Sequence, residues 1–348
     1  MNALARLLGS RLPIVQAPMA GVQAGAMAAA ACEAGALGSL PCAMLTVEGL
    51  RAELELIRAR TQAPFNVNFF CHVPPEPDAR REAAWRERLA PYYAEYGIDI
   101  AQVPPGPGRA PFTAASADAL EPYRPAVVSF HFGLPEPALL ARVKSWGAKV
   151  LASATTVEEA LWLESRGVDA VIAQGVEAGG HLGMFLATDP AAQLGTFALL
   201  PQVVAAVRVP VIAAGGIADA AGVRAAMALG ASGVQAGTAF LLCPEATASA
   251  IHRAALRERP HETQLTNLFT GRPARGIVNR VMREVGPISP AAPAFPLATA
   301  AIAPLRAKAE AAGKGDFSPL WSGQNATGCR EVPAAEIVRA LAAGLEAP

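Results

Sequence analysis

Charge is scarce in this chain of 348 residues. Only 17% are Asp, Glu, Lys or Arg, and 29 basic side chains are matched by 29 acidic ones. A chain without net charge lacks the basic footprint by which proteins hold nucleic acid or an acidic membrane face. Cysteine is scarcer still. Cys32, Cys42, Cys71, Cys243 and Cys329 are scattered, odd in number and never in CxxC spacing. That excludes a disulfide framework or a zinc site as the organising device and points to a reducing, cytoplasmic setting. Apolar runs long enough to span a membrane are also missing. Residues 12–32 carry no charge but hold Pro13, Gln16, Pro18, Gly21, Gln23 and Gly25, which reads as strand, loop and helix. Residues 285–305 carry five prolines and cannot form a regular spanning helix. No compact apolar stretch with a cleavage site follows Arg6 and Arg11, so no signal peptide is expected. Neither a GxGxxG with a trailing acidic residue nor a GxxxxGK[ST] occurs, which removes the two commonest nucleotide fingerprints.

What is present is apolar: 52% of residues are hydrophobic, enough for a large core. Short β-like runs alternate with helix-length segments through residue 257. The runs are 14–20, 37–42, 65–70, 126–132, 149–154, 170–174, 211–214 and 233–241. Most are apolar on both faces, as parallel strands covered by helices must be. Thr155-Thr156 and Asp219 sit where helices should start, and Gly147, Gly167 and Gly230 where they should stop. Eight alternations is the number that closes a barrel; a doubly wound open sheet is the rival that periodicity leaves standing. Two segments break the rhythm. Residues 71–125, with a helix expected around Asp78–Tyr96 and a Pro/Gly-rich loop at 103–108, read as an insertion after the third strand. Residues 258–348 read as an extension over one mouth of a 1–257 barrel.

Residues that chemistry would use cluster at strand ends, where barrels build their sites. Gln16-Ala17-Pro18-Met19-Ala20-Gly21 offers a flat backbone and, at Met19, a thioether suited to an aromatic ring. Asn66 and Asn68 alternate in one buried strand; each amide needs either a ligand edge or a network with neighbouring strands. His131 ends the fourth run among aromatics, where a satisfied core histidine is the plain alternative. Gln174-Gly175-Val176-Glu177-Ala178-Gly179-Gly180-His181-Leu182-Gly183 is the most informative stretch. A glutamine, four glycines and a histidine in ten residues resist a packing explanation, although a surface loop remains the alternative. Gly215-Gly216 and Gln235-Ala236-Gly237-Thr238 follow the last two runs, the pair of loops between which barrels frequently hold phosphate.

These elements, in this order, resemble the class I nitronate monooxygenases, flavoenzymes also called 2-nitropropane dioxygenases. The likeness runs from Pro13 to about Arg257 and is looser at Gly271–Gly276 and Trp321–Gln324. It implies a (β/α)8 TIM barrel with FMN across its mouth. The FMN contacts would be Met19, Asn68, Gln174, Gly179, Gly180, Gly215, Gly216, Gln235, Ala236, Gly237 and Thr238. His181 would be the catalytic histidine beside the flavin, with His131 a second polar contact. The partners implied are O2 and an alkyl nitronate, for example propionate 3-nitronate, oxidised to a carbonyl product and nitrite; a homodimer is compatible and not required. A flavin-dependent enoyl-thioester reductase or NAD(P)H:quinone reductase on the same scaffold, and a non-catalytic flavin- or phosphate-binding protein, are the alternative readings.

Overall fold

Each of the eight apolar runs becomes a parallel strand. The computed structural model describes residues 2–103, 109–258 and 261–345, so the Pro/Gly-rich stretch at 104–108 lies outside the described residues. The barrel strands are β1 (Ile14–Gln16), β2 (Ser39–Pro41), β3 (Asn66–Phe70), β4 (Val127–His131), β5 (Lys149–Ala154) and β6 (Ala170–Gln174). A two-residue strand, β7 (Gly180–His181), stands outside the barrel, which continues through β8 (Val211–Ala214) and β9 (Gly233–Ala236). Their order is β1-β9-β8-β6-β5-β4-β3-β2, every pair parallel. The two ends meet through Val15 and Leu37, where the Leu37 amide donates to the Ile14 carbonyl at 2.8 Å and the Gln16 amide to the Leu37 carbonyl at 2.9 Å. The sheet therefore closes, and the chain is a (β/α)8 barrel rather than an open sheet.

Burial on both strand faces explains the apolar runs. Val15, Leu37, Val127, Leu151, Ile172 and Ile212 fill the interior together with Leu4 and Leu8 of helix Ala3–Leu8, which plugs the N-terminal end of the barrel. Replacing such a plug leucine by alanine costs roughly 2–5 kcal/mol. The opposite faces pack under the helices in a second, larger layer. Thr156 and Asp219 cap their helices as expected, accepting from the amides of Glu159 and Gly222.

The ring of helices is completed from the far end of the chain. Helix Ala334–Ala342 buries Ile337, Val338 and Leu341 and packs between helices Gly25–Glu33 and Ala220–Ala228, against β1. That flank of the helix ring is thus covered by residues from the end of the chain. Other parts of residues 261–345 pack against the insertion. Insertion helix Ala79–Glu95 buries Trp85, Leu89 and Tyr93 against Ile302 and Leu305 of helix Thr299–Ala311. Strands β10 (Thr263–Thr266) and β11 (Ala274–Ile277) pair antiparallel, and β11 then pairs with β7. Insertion and extension thus form one body, stitched to the glycine-histidine turn.

Candidate active site

A cavity of about 1300 Å³, counted out to its open mouth, lies at the C-terminal ends of the barrel strands. All thirteen residues singled out from the sequence line it. Met19 enters from the loop after β1, Asn68 from β3, His131 from β4 and Gln174 from β6. Gly179, Gly180 and His181 come from the turn beyond β6. Gly215 and Gly216 follow β8; Gln235 and Ala236 end β9, and Gly237 and Thr238 follow it.

The two glycine turns form a cradle of main-chain donors. Gly215 and Gly216 hold φ of 112° and 71°, a left-handed backbone that other residues rarely adopt. Gly237 has an ordinary φ; there the constraint is space, since a Cβ would stand 3.3 Å from Ala17 Cβ and 3.4 Å from Met19 Sδ. Among the described residues, no carbonyl takes up the amides of Gly216, Gly237 or Thr238. Turn amides left free in this way suit an anion such as phosphate. Residues 323–325 clamp both turns from outside: Asn325 Nδ2 donates to the Gly216 carbonyl at 3.0 Å, and the Gly323 amide to Thr238 Oγ1 at 2.9 Å. Gln235 Oε1 also lines this cavity, buried and without a hydrogen-bond partner. A buried acceptor without a donor is costly, and a flat ring with N–H donors along its edge would satisfy it.

The histidine turn is braced from within. Gln174 Nε2 donates to the His181 carbonyl at 3.1 Å, while its Oε1 accepts from the Gly183 amide at 2.6 Å. Both ends of an amide expected to meet a ligand are thus occupied by the turn itself. Glu177 is oriented rather than solvated: its carboxylate accepts from the Thr196 amide and from Thr196 Oγ1 at 3.0 Å. Thr196 starts helix Thr196–Ala206, a position that favours negative charge. His131 Nε2 donates to the His181 carbonyl at 3.2 Å, so its Nδ1 accepts from Ser153 Oγ at 3.0 Å. Asn66 and Asn68 both donate to Ser129 Oγ at 2.9 Å and Asn66 also donates to Ser39 Oγ, while Asn68 lines the cavity as well.

His181 itself meets Thr270 Oγ1 through Nε2 at 2.9 Å, and no protein group among the described residues takes up its Nδ1. Phe70, Phe132, Phe295 and Trp321 surround the ring with centroids 5.4–6.1 Å away. Burial holds His181 well below the usual imidazole range, and the charges of Arg109, His131, Arg272 and His72 push the same way. Burial likewise lowers His131 to about 4. Among the described residues no acidic side chain lines the cavity; Arg109 lines it, and Arg272 stands behind Phe132. The site therefore offers an imidazole held toward its neutral form beside two arginines: a place for an anion and for a proton to be held or taken.

Sequence reasoning missed the residues that the insertion and extension bring in. Arg109, Thr270, Arg272, Phe295, Trp321 and Asn325 reach the site from segments without periodicity. The short islands at Gly271–Gly276 and Trp321–Gln324 were the one signal that pointed toward them.

Comparison with known proteins agrees with this architecture. A family model described as nitronate monooxygenase matches residues 2–344. A nitronate monooxygenase of Pseudomonas aeruginosa is 45% identical over 343 residues, covering 97% of each chain. A probable nitronate monooxygenase of Bacillus subtilis is 37% identical over 330 residues, covering 93% of each. Among solved structures, nitroalkane oxidase from Streptomyces ansochromogenes superposes with a TM-score of 0.89 at 43% identity, covering 99% of this chain and 97% of that one. FabK from Thermotoga maritima is more distant, with a TM-score of 0.73 at 26% identity, covering 98% and 95%. Alike in sequence over nearly its whole length and in the barrel that carries the site, the chain belongs to the nitronate monooxygenase family of oxidoreductases.

Proposed function

We propose that this enzyme oxidises alkyl nitronates with O2 to a carbonyl product and nitrite, and that it does so with FMN. The observation that carries the reading is that one cavity holds both the double-glycine cradle and the neutral His181. A flavin, when bound, supplies the electron acceptor; the protein supplies position and electrostatics. Gly216, Gly237 and Thr238 would hold its single phosphate, and Gln235 Oε1 would receive a donor from the ring edge. One such cradle, with no dinucleotide fingerprint in the sequence, favours FMN over FAD.

The chain's own residues then have separable tasks. His181 Nδ1 faces the substrate; a neutral imidazole there donates to a nitronate oxygen or accepts the α-proton of a neutral nitroalkane. The aromatic wall excludes water from the reacting carbon, and the absence of carboxylates spares an anionic substrate repulsion. Gln174 and His131 hold the turn that presents His181.

The purified protein should be yellow, and heat denaturation should release FMN, identified by chromatography. Mixing it anaerobically with an alkyl nitronate should bleach the flavin bands. Colourless protein that cannot be reconstituted with FMN would overturn the cofactor assignment. Bleaching by NADH but not by a nitronate would move the function to a reductase.

A further inference from the structure

Two arginines of one short segment grip both ends of the glycine-histidine turn. Arg275 Nε donates to the Val176 carbonyl at 2.8 Å near its start, and Arg272 Nη2 donates to the Met184 carbonyl just past its end. Between them the Leu182 amide donates to the Pro273 carbonyl at 3.0 Å, and β11 pairs with β7. Arg275 is enclosed by carbonyls and the Thr263 hydroxyl, an ordinary structural arrangement. Arg272 is not so explained. Its guanidinium carbon stands 4.0 Å from the centroid of the Phe132 ring. Its Nε is buried without a hydrogen-bond partner. A guanidinium kept in such surroundings forgoes water on one of its donors, which is costly unless its charge or its shape is used.

What it touches is the support of the histidine. Phe132 is a buried non-glycine residue with a left-handed φ of 69°, a strained backbone that persists only when its surroundings enforce it. It directly follows His131, whose Nε2 carries the His181 carbonyl, and its ring lies 5.9 Å from that of His181. Arg272 therefore presses on the turn at Met184 and on the strained residue beneath it at Phe132. Its charge faces the same imidazole. The other charged or titratable groups facing His181 are Arg109 from the insertion, His131 from β4 and His72 from the loop after β3.

We propose that Arg272 is a positioning residue for the reaction at His181: through Met184 and Phe132 it sets where the imidazole stands, and with Arg109 it is one of two arginine charges set against that ring. The rate consequence rests on the functional reading given above; the effect on His181 does not. Arg272→Ala and Arg272→Lys, in the full-length chain as purified, separate shape from charge. Flavin content should match the parent in both, because Arg272 touches neither glycine turn. In Arg272→Ala, kcat with an alkyl nitronate should fall at least about tenfold with a smaller change in KM, and added guanidinium should restore part of it. The NMR titration midpoint of His181, identified by its loss in His181→Gln, should rise when the neighbouring charge goes. In Arg272→Lys the midpoint should stay near the parent value while kcat remains low. An unmoved His181 midpoint in Arg272→Ala, whatever the rate does, overturns the proposal, as does a parental kcat in both variants. A parent protein that does not turn over nitronates would instead defeat the functional reading and leave the titration arm intact.

Discussion

The Nε2–H of His131 donates to the main-chain carbonyl of His181 across 3.2 Å, so one histidine of the site carries the other. With its second nitrogen taken by Ser153, His131 has no donor or acceptor left for substrate in this arrangement. The side chain with a free nitrogen toward the cavity is that of His181.

His181→Ala should fold and keep its flavin, yet lose nitronate turnover by roughly ten- to a hundredfold, the worth of one hydrogen bond to an anion. If the imidazole is also a base, neutral nitroalkanes should suffer more than preformed nitronates. Steady-state rates at matched flavin content check both. Parental activity would leave His181 with a structural role only.

Gly237→Val tests the cradle without backbone strain, because Gly237 has φ of −120°. The added side chain would meet Ala17 and Met19 and fill the approach to the turn amides. The FMN dissociation constant should rise at least about tenfold, with a Tm of the flavin-free chain within a few degrees of the parent. Gly216→Val should weaken flavin binding as well and also lower Tm, since its φ of 71° disfavours a branched residue. Unchanged affinity in both would place the phosphate elsewhere.

Acid should destabilise the fold through its buried histidines. His131 and His252 are both lowered to about 4, chiefly by burial. An unfolded histidine takes its proton near 6.5. Between those values the unfolded chain binds protons that the folded chain refuses, so stability falls as pH drops from about 6.5 toward 4. For His252, which is 3% exposed, the full effect is on the order of 3 kcal/mol. Urea midpoints at pH 7 and 4.5 should differ accordingly. His252→Gln, which keeps a donor for the Trp321 carbonyl, should narrow the difference.

Glu159 anchors the strand of chain beyond the histidine turn. Its buried carboxylate accepts from the amides of Thr155, Phe185, Leu186 and Ala187 and from Thr155 Oγ1. Glu159→Gln replaces one accepting oxygen by a donor and should cost about 2–3 kcal/mol, read from denaturant unfolding. Residues 183–187 should also become a new site of limited proteolysis. Parental stability would mean that these amides find other acceptors.

The barrel was legible because its strands are buried on both faces and so appear as plain apolar runs. The runs overshot where apolar residues continue past the strand: 17–20 turn into the cavity, and 238–240 form a 3-10 helix. The glycine turns were legible because left-handed backbone and close approach leave few residue choices, as at Gly215 and Gly216. Gln174 lines the cavity and also bridges to His181 and Gly183, an internal link that its spacing does not mark. Arg109, Arg272 and Phe295 could not be found this way. Their place beside His181 depends on how an insertion and an extension pack against each other, and no local periodicity encodes that.

The join between β1 and β9, flanked by helix Ala334–Ala342, has a kinetic meaning. Closing it brings together segments separated by most of the polypeptide, and such contacts yield nothing until the intervening chain has been ordered. This join should therefore be the slowest part of the cylinder to assemble and the first to exchange its amide protons, with Ala17 and Val234 as its reporters.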